Sequence, residues 1–242
     1  KGESGVGFVF NLSQAGDHRG YVNLKKDGLA GNPTFNFTLQ AEDRLKVLVV
    51  DGDPQTSLVQ SETFFLTRAL NPAAERDSSL FLPTVIIPEG LGAVSLDAYQ
   101  ALILCNVPVI PDTLMPRLRE YLRKGGGLLL FPGDRIQIDD YNAKLFHSSP
   151  PILPAAIKEK RVLSAAAAEK IEVVDTAHPA LRGFTDEILM ESLKSARVQG
   201  YLRTDISAGS TLLSLASGAP LLLEKRAARG ASFFSPPPRI GT

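Results

Sequence analysis

The stretch "YQALILCNVPVIPDTLMPRLREYLRKGGGLLLF", residues 99–131, contains the pattern of a strand, a helix and a second strand. Its two apolar runs are typical of strands that are covered on both faces in a parallel sheet. Between the runs, Thr113 suits the N-cap of a helix, Pro116 suits its first turn, and Gly125 suits its end. The stretch therefore predicts a strand–helix–strand unit.

The residues on both sides of this unit extend the same pattern. "LKVLVV" (45–50) predicts another covered strand, "TSLVQSETFFLTRALN" (56–71) a helix capped by Thr56 or Ser57, and "TVIIP" (84–88) a further strand. Alternating strands and helices predict an α/β fold with a doubly wound, mainly parallel sheet and right-handed crossovers. After Asn142, short apolar segments separated by glycines predict a meander of strands that extends the sheet.

The chain divides into three predicted regions. In residues 1–42, Phe35, Phe37 and Leu39 alternate with polar residues, which is typical of a strand with one buried face. We interpret this region as a β-sandwich remnant or a small β-appendage. Residues 43–235 form the predicted α/β domain, and residues 236–242 a predicted disordered tail.

Composition excludes several functional classes. The 26 basic and 26 acidic residues balance, which argues against a general electrostatic nucleic-acid binder. No apolar run approaches the roughly 18 residues of a membrane span. The single cysteine, Cys105, excludes an internal disulfide and a cysteine-based zinc cluster. Because the chain begins at Lys1, we expect a processed product or a fragment, and the compartment stays open.

Polar residues follow the predicted strands at the edge where parallel sheets carry their sites. Asp51 and Asp53 follow the first strand, Asn106 follows the strand that ends in Cys105, and Asp134 follows "GLLLF". The two aspartates either hold Mg²⁺ or form a polar turn that caps backbone N–H groups, and we favour the turn. Asp134 is either a capping carboxylate at a helix start or a third metal ligand.

Cys105 and His178 are the weaker candidates for a nucleophile and its base. Cys105 ends an apolar strand, so we expect a buried, inert thiol. Of the three histidines, His18 lies in the β-appendage and His147 in a Pro-rich connection. Only His178, before Pro179, stands where a base of a catalytic triad would be expected, and packing or capping is the favoured interpretation.

Three segments together carry a family resemblance. "LKVLVVDGDP…SETFFLTRALNP", the stretch from Tyr99 to Asp134, and "HPALRGF" resemble the class I glutamine amidotransferase-like domain of bacterial aerotolerance-type membrane proteins, which also contain a von Willebrand A domain. "HRGYVNLKKDGLAGNPTFNFTL" resembles the closing strands of the β-sandwich that precedes this domain. The resemblance implies a flavodoxin-like sheet for residues 43–235.

The same resemblance implies that the reaction is lost. True amidotransferases carry a cysteine on the turn after the strand that corresponds to "GLLLF", with a histidine and a glutamate later in the chain. Here the turn has Gly133 and Asp134, and no His-x-Glu sequence follows. We therefore expect no catalytic residue, no cofactor and no metal.

These observations lead to two functional hypotheses. The first is a non-catalytic domain for binding or assembly in a bacterial envelope-associated protein, on the extracytoplasmic side of the inner membrane by resemblance. Its partners would be a protein or neighbouring domains of the parent chain, without nucleic acid or membrane insertion. The alternative is a Mg-dependent hydrolase or phosphatase that uses Asp51, Asp53 and Asp134. A sugar-related role is a third option, because amidotransferase-like folds also occur as accessory domains of glycosidases.

Overall fold

The computed structural model describes residues 7, 12, 14–23, 34–55, 61–72, 79–226 and 231–234. The chain separates into two compact units, Lys1–Leu45 and Lys46–Thr242. The division lies close to the predicted domain boundary at residues 42 and 43. The predicted tail 236–242 lies outside the described residues.

The first unit contains an antiparallel pair of strands, β1 (Gly16–Asn23) and β2 (Thr34–Ala41). The predicted strand at Phe35–Leu39 is confirmed, but its predicted burial is wrong, since Phe35 is 71% and Leu39 39% exposed. Within the described residues of this unit, the two-stranded ribbon has no second layer against which to bury an apolar face. Residues 24–33, which join the two strands, lie outside the described residues.

The second unit begins with the predicted strands and helices. The two helices of this part are α1 (Glu62–Leu70) and α2 (Leu114–Arg123). The described start of α1 is capped by Ser61, whose hydroxyl accepts a hydrogen bond from the Thr63 N–H, while Thr56 and Ser57 lie outside the described residues. The strands of this part are β3 (Leu45–Asp51), β4 (Phe81–Ile86), β5 (Ala101–Cys105) and β6 (Gly127–Phe131).

Alternate residues of the parallel strands enter two separate apolar layers. Leu102 and Leu104 of β5 pack in the layer that contains Leu118 and Tyr121 of α2. Ile103 and Cys105 of the same strand pack in the layer against which α1 lies. The strand is therefore covered on both faces, as its continuous apolar run predicts.

Some of the remaining strands form the predicted meander that extends the sheet, and others depart from the predicted topology. They are β7 (Ala155–Val162), β8 (Glu169–Val173), β9 (Arg197–Val198), β10 (Gly200–Ile206), β11 (Ser210–Leu215), β12 (Pro220–Arg226) and β13 (Ala231–Phe234). In the described residues the large sheet has the order β4-β3-β5-β6-β13-β12-β11-β8-β9. β7 and β10 form a separate antiparallel pair.

The prediction of a flavodoxin-like, doubly wound, mainly parallel sheet is wrong. Parallel pairing joins β3 to β5, β5 to β6 and β6 to β13, whereas β13, β12, β11, β8 and β9 are joined by antiparallel pairs. A short connection explains part of the difference. Residues 216–219 link β11 to β12 and include Gly218 at φ 83°. A turn of this length can return only an antiparallel strand, because a parallel neighbour needs a crossover of about a dozen residues or more.

The remaining helical segments lie between these strands. α3 (Ile138–Tyr141) continues as a π-helical turn over Asn142–Phe146, and α4 (Glu187–Ser195) is capped by the Asp186 carboxylate, which accepts from the N–H groups of Ile188 and Leu189. In the described part of the chain, no helix has the length and apolar character needed to span a membrane.

Candidate functional site

The ends of β3, β5 and β6 bring the predicted polar residues to one edge of the sheet. Asp51 pairs with Cys105, and Cys105 pairs with Phe131, in the parallel register. The ladder continues one residue further, because the Gly52 N–H donates to the Cys105 carbonyl at 2.8 Å and the Asn106 N–H to the Phe131 carbonyl at 2.8 Å. We call Asp51, Asp53, Asn106, Asp134 and Arg135 the strand-end cluster.

Asp51 is buried and its carboxylate is held by groups of the protein. Oδ2 accepts hydrogen bonds from the hydroxyls of Ser61 and Thr63, both at 2.8 Å. Oδ1 accepts from the backbone N–H of Asp53 at 3.1 Å. The two hydroxyls stand at the start of α1, so Asp51 fastens that helix to the end of β3. The backbone contact matches the capping turn that the sequence favours.

Asn106 joins the ends of β5 and β6. Its φ of 48° lies in the left-handed region, which asparagine tolerates better than most residues. Its side-chain Nδ2 donates to Asp134 Oδ1 at 3.1 Å, and its Oδ1 accepts from the Arg135 N–H at 2.9 Å. A Cβ on Gly133 would lie 2.1 Å from Asn106 Cγ. Asn106 therefore occupies the space over Gly133 and fixes the turn that carries Asp134.

Arg135 covers the exposed side of the strand-end cluster. Its Nη1 donates to Asp53 Oδ1 at 2.6 Å and to the Gly52 carbonyl at 3.0 Å. Lys160 of β7 donates through Nζ to the Asp134 carbonyl. Sequence reasoning missed Arg135 and Lys160 as members of this edge. The signal for Arg135 was its place directly after Asp134, whereas Lys160 arrives from a distant strand.

The geometry gives no support to a magnesium site. Asp51 is held by hydroxyls, Asp53 by a guanidinium, and Asp134 by the Asn106 amide. Among the residues described, no three His, Cys, Asp or Glu side chains form a group that could hold a metal ion. Within the described part of the chain, no arrangement of ligands therefore supports the hypothesis of a Mg-dependent hydrolase.

Cys105 and His178 do not form a nucleophile–base pair. The Cys105 side chain is 3% exposed and packs beside Val47, Val49 and Ile103. His178 Nε2 lies 2.9 Å from Glu224 Oε2, and His178 Nδ1 accepts from the Ala180 N–H at 3.2 Å. Both ring nitrogens are thus engaged away from Cys105.

Sequence reasoning missed Glu224, the partner of His178. It lies on β12 in register with Phe233 of β13, which is in register with Leu129 of β6. β5, with Cys105 at its end, is the next strand beyond β6. Three strand spacings of about 4.8 Å separate the backbones of β12 and β5 by roughly 14 Å. The only sequence signal was a carboxylate within the apolar run "PLLLEK".

Comparisons with known proteins identify similar folds but no family. No family model matches the chain, and no curated protein matches it. A cytoplasmic protein from Salmonella typhimurium is similar at a TM-score of 0.54 and 14% identity, over 90% of this chain and 83% of that chain. A second cytoplasmic protein from the same organism has a TM-score of 0.53 and 12% identity, over 92% and 84%.

Glycosidase chains also match. The GH42 β-galactosidase Gan42B from G. stearothermophilus is similar at a TM-score of 0.52 and 13% identity, over 84% of this chain and 28% of that chain. Likeness at this identity concerns the fold alone. The sequence-based description of the chain as glutamine amidotransferase-like and flavodoxin-like is therefore wrong. The glycosidase chains that match in fold are glycoside hydrolases, and the large sheet of this chain is rich in antiparallel strands. The resemblance to aerotolerance-type proteins is untested by these matches and stays a prediction.

Proposed function

We propose that this chain is a non-catalytic domain that serves binding or assembly in a bacterial envelope-associated protein. The observation that carries the proposal is the engagement of the strand-end cluster by the protein's own groups. Each of its polar side chains donates to or accepts from a neighbour within the fold. A reactive carboxylate would instead have to face a substrate or a metal.

The surroundings of Cys105 and His178 also support the proposal. Covalent catalysis needs a thiol or hydroxyl within hydrogen-bond reach of a base. The buried Cys105 packs among aliphatic side chains, and the imidazole of His178 is engaged by Glu224 and by a backbone N–H. The thiol of Cys105 and the imidazole of His178 therefore do not contact each other as a nucleophile and its base.

The exposed part of the strand-end cluster supports a binding role. Arg135, whose side chain is 48% exposed, and its partner Asp53 present a cation and an anion side by side, with Lys160 next to them. Exposed charges of both signs suit the rim of a protein–protein contact. A protein partner or a neighbouring domain of the parent chain would meet this surface. On the resemblance alone, we extend the proposal to the extracytoplasmic side of a bacterial inner membrane.

A hydrolysis assay tests the non-catalytic part. The purified chain is incubated with glutamine, p-nitrophenyl acetate and p-nitrophenyl phosphate plus Mg²⁺, next to the Cys105→Ala and Asp51→Asn variants. We expect no turnover above buffer in any sample. Turnover that Cys105→Ala abolishes, or Mg²⁺-dependent turnover that Asp51→Asn abolishes while Asp139→Asn keeps it, would overturn the proposal.

A cross-linking experiment tests the binding part. A photo-cross-linking residue replaces Arg135 in the full parent chain, expressed in its own host, and the exposed Asp139 position serves as the control. We expect a discrete protein adduct, or a cross-link to a neighbouring domain, at position 135 only. Equal adducts at both positions, or none at position 135, would contradict a binding role for this edge.

A further inference from the structure

A cleft of about 550 Å³ opens between α2, the Pro-rich segment before β7 and the end of β12. Its apolar wall contains Pro116, Leu122, Pro150, Pro151 and Ile152. We call it the α2–β12 cleft. Its volume lies within the range of about 300–1,000 Å³ that is typical of small-molecule sites.

The α2–β12 cleft lies away from the strand-end cluster. Lys225, which lines it, pairs with Ser232 of β13, and Ser232 pairs with Leu128 near the beginning of β6. The strand-end cluster follows the opposite end of β6. The two sites share no residue, so an inference about this cleft goes beyond the proposed function.

The charged residues that line the cleft are mostly basic. Arg119, Arg123, Lys225 and Arg226 line it together with a single acid, Glu120. This local excess contrasts with a chain in which 26 basic and 26 acidic residues balance. A concave surface with one dominant sign of charge attracts ligands of the opposite sign.

Two of these cations are engaged by carboxylates. Arg123 donates to both carboxylate oxygens of Glu120, at 2.8 Å and 2.7 Å. Arg226 Nε lies 3.5 Å from Oε1 of Glu224. These contacts reduce the charge that Arg123 and Arg226 offer to a ligand.

Arg119 and Lys225 converge on one short segment. Arg119 Nη1 donates to the carbonyls of Ser149 and Pro150 at 2.8 Å and 3.4 Å, and Lys225 Nζ donates to the carbonyl of Pro151 at 2.6 Å. Both cations therefore lie beside the same wall of the cleft.

The burial of Lys225 adds a second reason for an anion. Burial lowers the pKa of its ammonium group, because desolvation disfavours the charged form. An anion placed beside Lys225 would stabilise that charged form.

We propose that the α2–β12 cleft binds a small organic anion, in which a carboxylate, sulfonate or phosphate group lies between Arg119 and Lys225 and an apolar body packs on the proline-lined wall. The anionic group lies beside two cations that donate to the same segment. The apolar body covers Pro150 and Pro151, which are exposed. Both parts are needed, since the wall alone or the charges alone would bind weakly.

A matched pair of fluorescent probes tests the proposal. 1-Anilinonaphthalene-8-sulfonate carries the anion, and N-phenyl-1-naphthylamine has the same rings without it. Both are titrated into the intact chain and into the double variant Arg119→Gln/Lys225→Gln. The control is Lys158→Gln/Arg203→Gln, which removes the same charge from the pair formed by β7 and β10.

We expect saturable binding of the sulfonate at one site, weakened about tenfold or more in the first double variant, because charge-assisted hydrogen bonds are the strong ones. The control variant should bind the sulfonate as the unchanged chain does, and the uncharged probe should bind all three proteins alike. Octanoate should displace the sulfonate.

Several results would overturn the proposal. Equal loss in both double variants would mean a general charge effect, and equal affinity of the two probes for the unchanged chain would mean that no anion site exists. Displacement by an acidic peptide but not by octanoate would replace the small ligand with a protein partner. If circular dichroism shows that the double variant is unfolded, the charge-conserving variant Lys225→Arg is titrated in its place. This variant should keep the preference for the sulfonate, and loss of that preference in the folded variant would overturn the proposal.

Discussion

The imidazole Nε2 of His178 lies 2.9 Å from Oε2 of Glu224, and both side chains are buried. The pair connects the segment before α4 to β12, across 46 residues of sequence. Because His178 Nδ1 accepts from the Ala180 N–H, Nε2 carries the proton and donates to the carboxylate. The contact is a structural tie between two parts of the second unit.

Removing the imidazole should weaken the fold. His178→Ala removes the donor to Oε2 of the buried Glu224 carboxylate, so we expect the free energy of unfolding to fall by about 2 kcal/mol. Urea denaturation followed by circular dichroism measures the change. His147→Ala is the matched control, because His147 is exposed and contacts the ring of Phe146 at its edge. Equal effects of the two substitutions would contradict the structural role of the pair.

Asp51 should stabilise the protein without any metal. In Asp51→Asn one carboxylate oxygen becomes an amide nitrogen, which is a donor, so part of the set of bonds from Ser61, Thr63 and the Asp53 N–H is lost. We expect a loss of about 1–3 kcal/mol in the free energy of unfolding. Thermal melts with EDTA and with Mg²⁺ measure it, and Asp139→Asn, at an exposed position, is the control. A melting temperature that rises with Mg²⁺ only when Asp51 is present would contradict this role.

Local sequence patterns predicted the parallel part of the fold. The apolar runs that became β3, β5 and β6 are bounded by turn residues, and the helix-start and helix-stop residues around α2 are close to its observed ends. In the second half, the short connection between β11 and β12 is a local signal of antiparallel pairing, but the position of β13 has no such signal. β13 lies between β6 and β12, so its place depends on contacts between strands that are far apart in sequence. Apolar runs such as "PLLLEK" and "GASFF" read alike in parallel and antiparallel sheets.

The candidate site was predictable only where sheet geometry fixes it. Parallel strands end at one edge, and this brought Asp51, Asn106 and Asp134 together. The partners that decide the chemistry come from elsewhere. Arg135 reaches Asp53 across 82 residues, and Glu224 reaches His178 from a strand that the sequence places in no particular position. Such pairs follow from the whole topology, and neither residue spacing nor hydrophobic periodicity predicts them.

At the end of β3, a side chain larger than that of Gly52 should destabilise the fold. A Cβ at this position would lie 2.2 Å from the backbone oxygen of Asn106, and the backbone there is held by the ladder between β5 and β6. We expect Gly52→Ala to lower the free energy of unfolding by about 2 kcal/mol or more, because overpacking forces a backbone shift. Gly92→Ala is the control, since a Cβ there meets nothing within 4 Å. Equal stability of the two variants in urea would contradict the close approach.

Tyr121 should make stability depend on pH in the alkaline range. Its hydroxyl donates to the Gly127 carbonyl at 3.2 Å, and burial raises the pKa of the phenol to about 12. Because the ordinary pKa in the unfolded chain is about 10, the folded state holds the proton more tightly, and this stabilisation is lost as the pH rises from about 10 through about 12.

Tyr121→Phe isolates this effect. The variant should be about 1 kcal/mol less stable than the unchanged chain at pH 7, through loss of the hydrogen bond, and the difference should shrink above pH 10. Absorbance at the tyrosinate band, taken as unchanged chain minus variant, should show one group that titrates near pH 12 when folded. The same difference in urea, where the chain is unfolded, should titrate near pH 10. A folded-state difference that also titrates near pH 10 would mean that this hydroxyl is open to solvent.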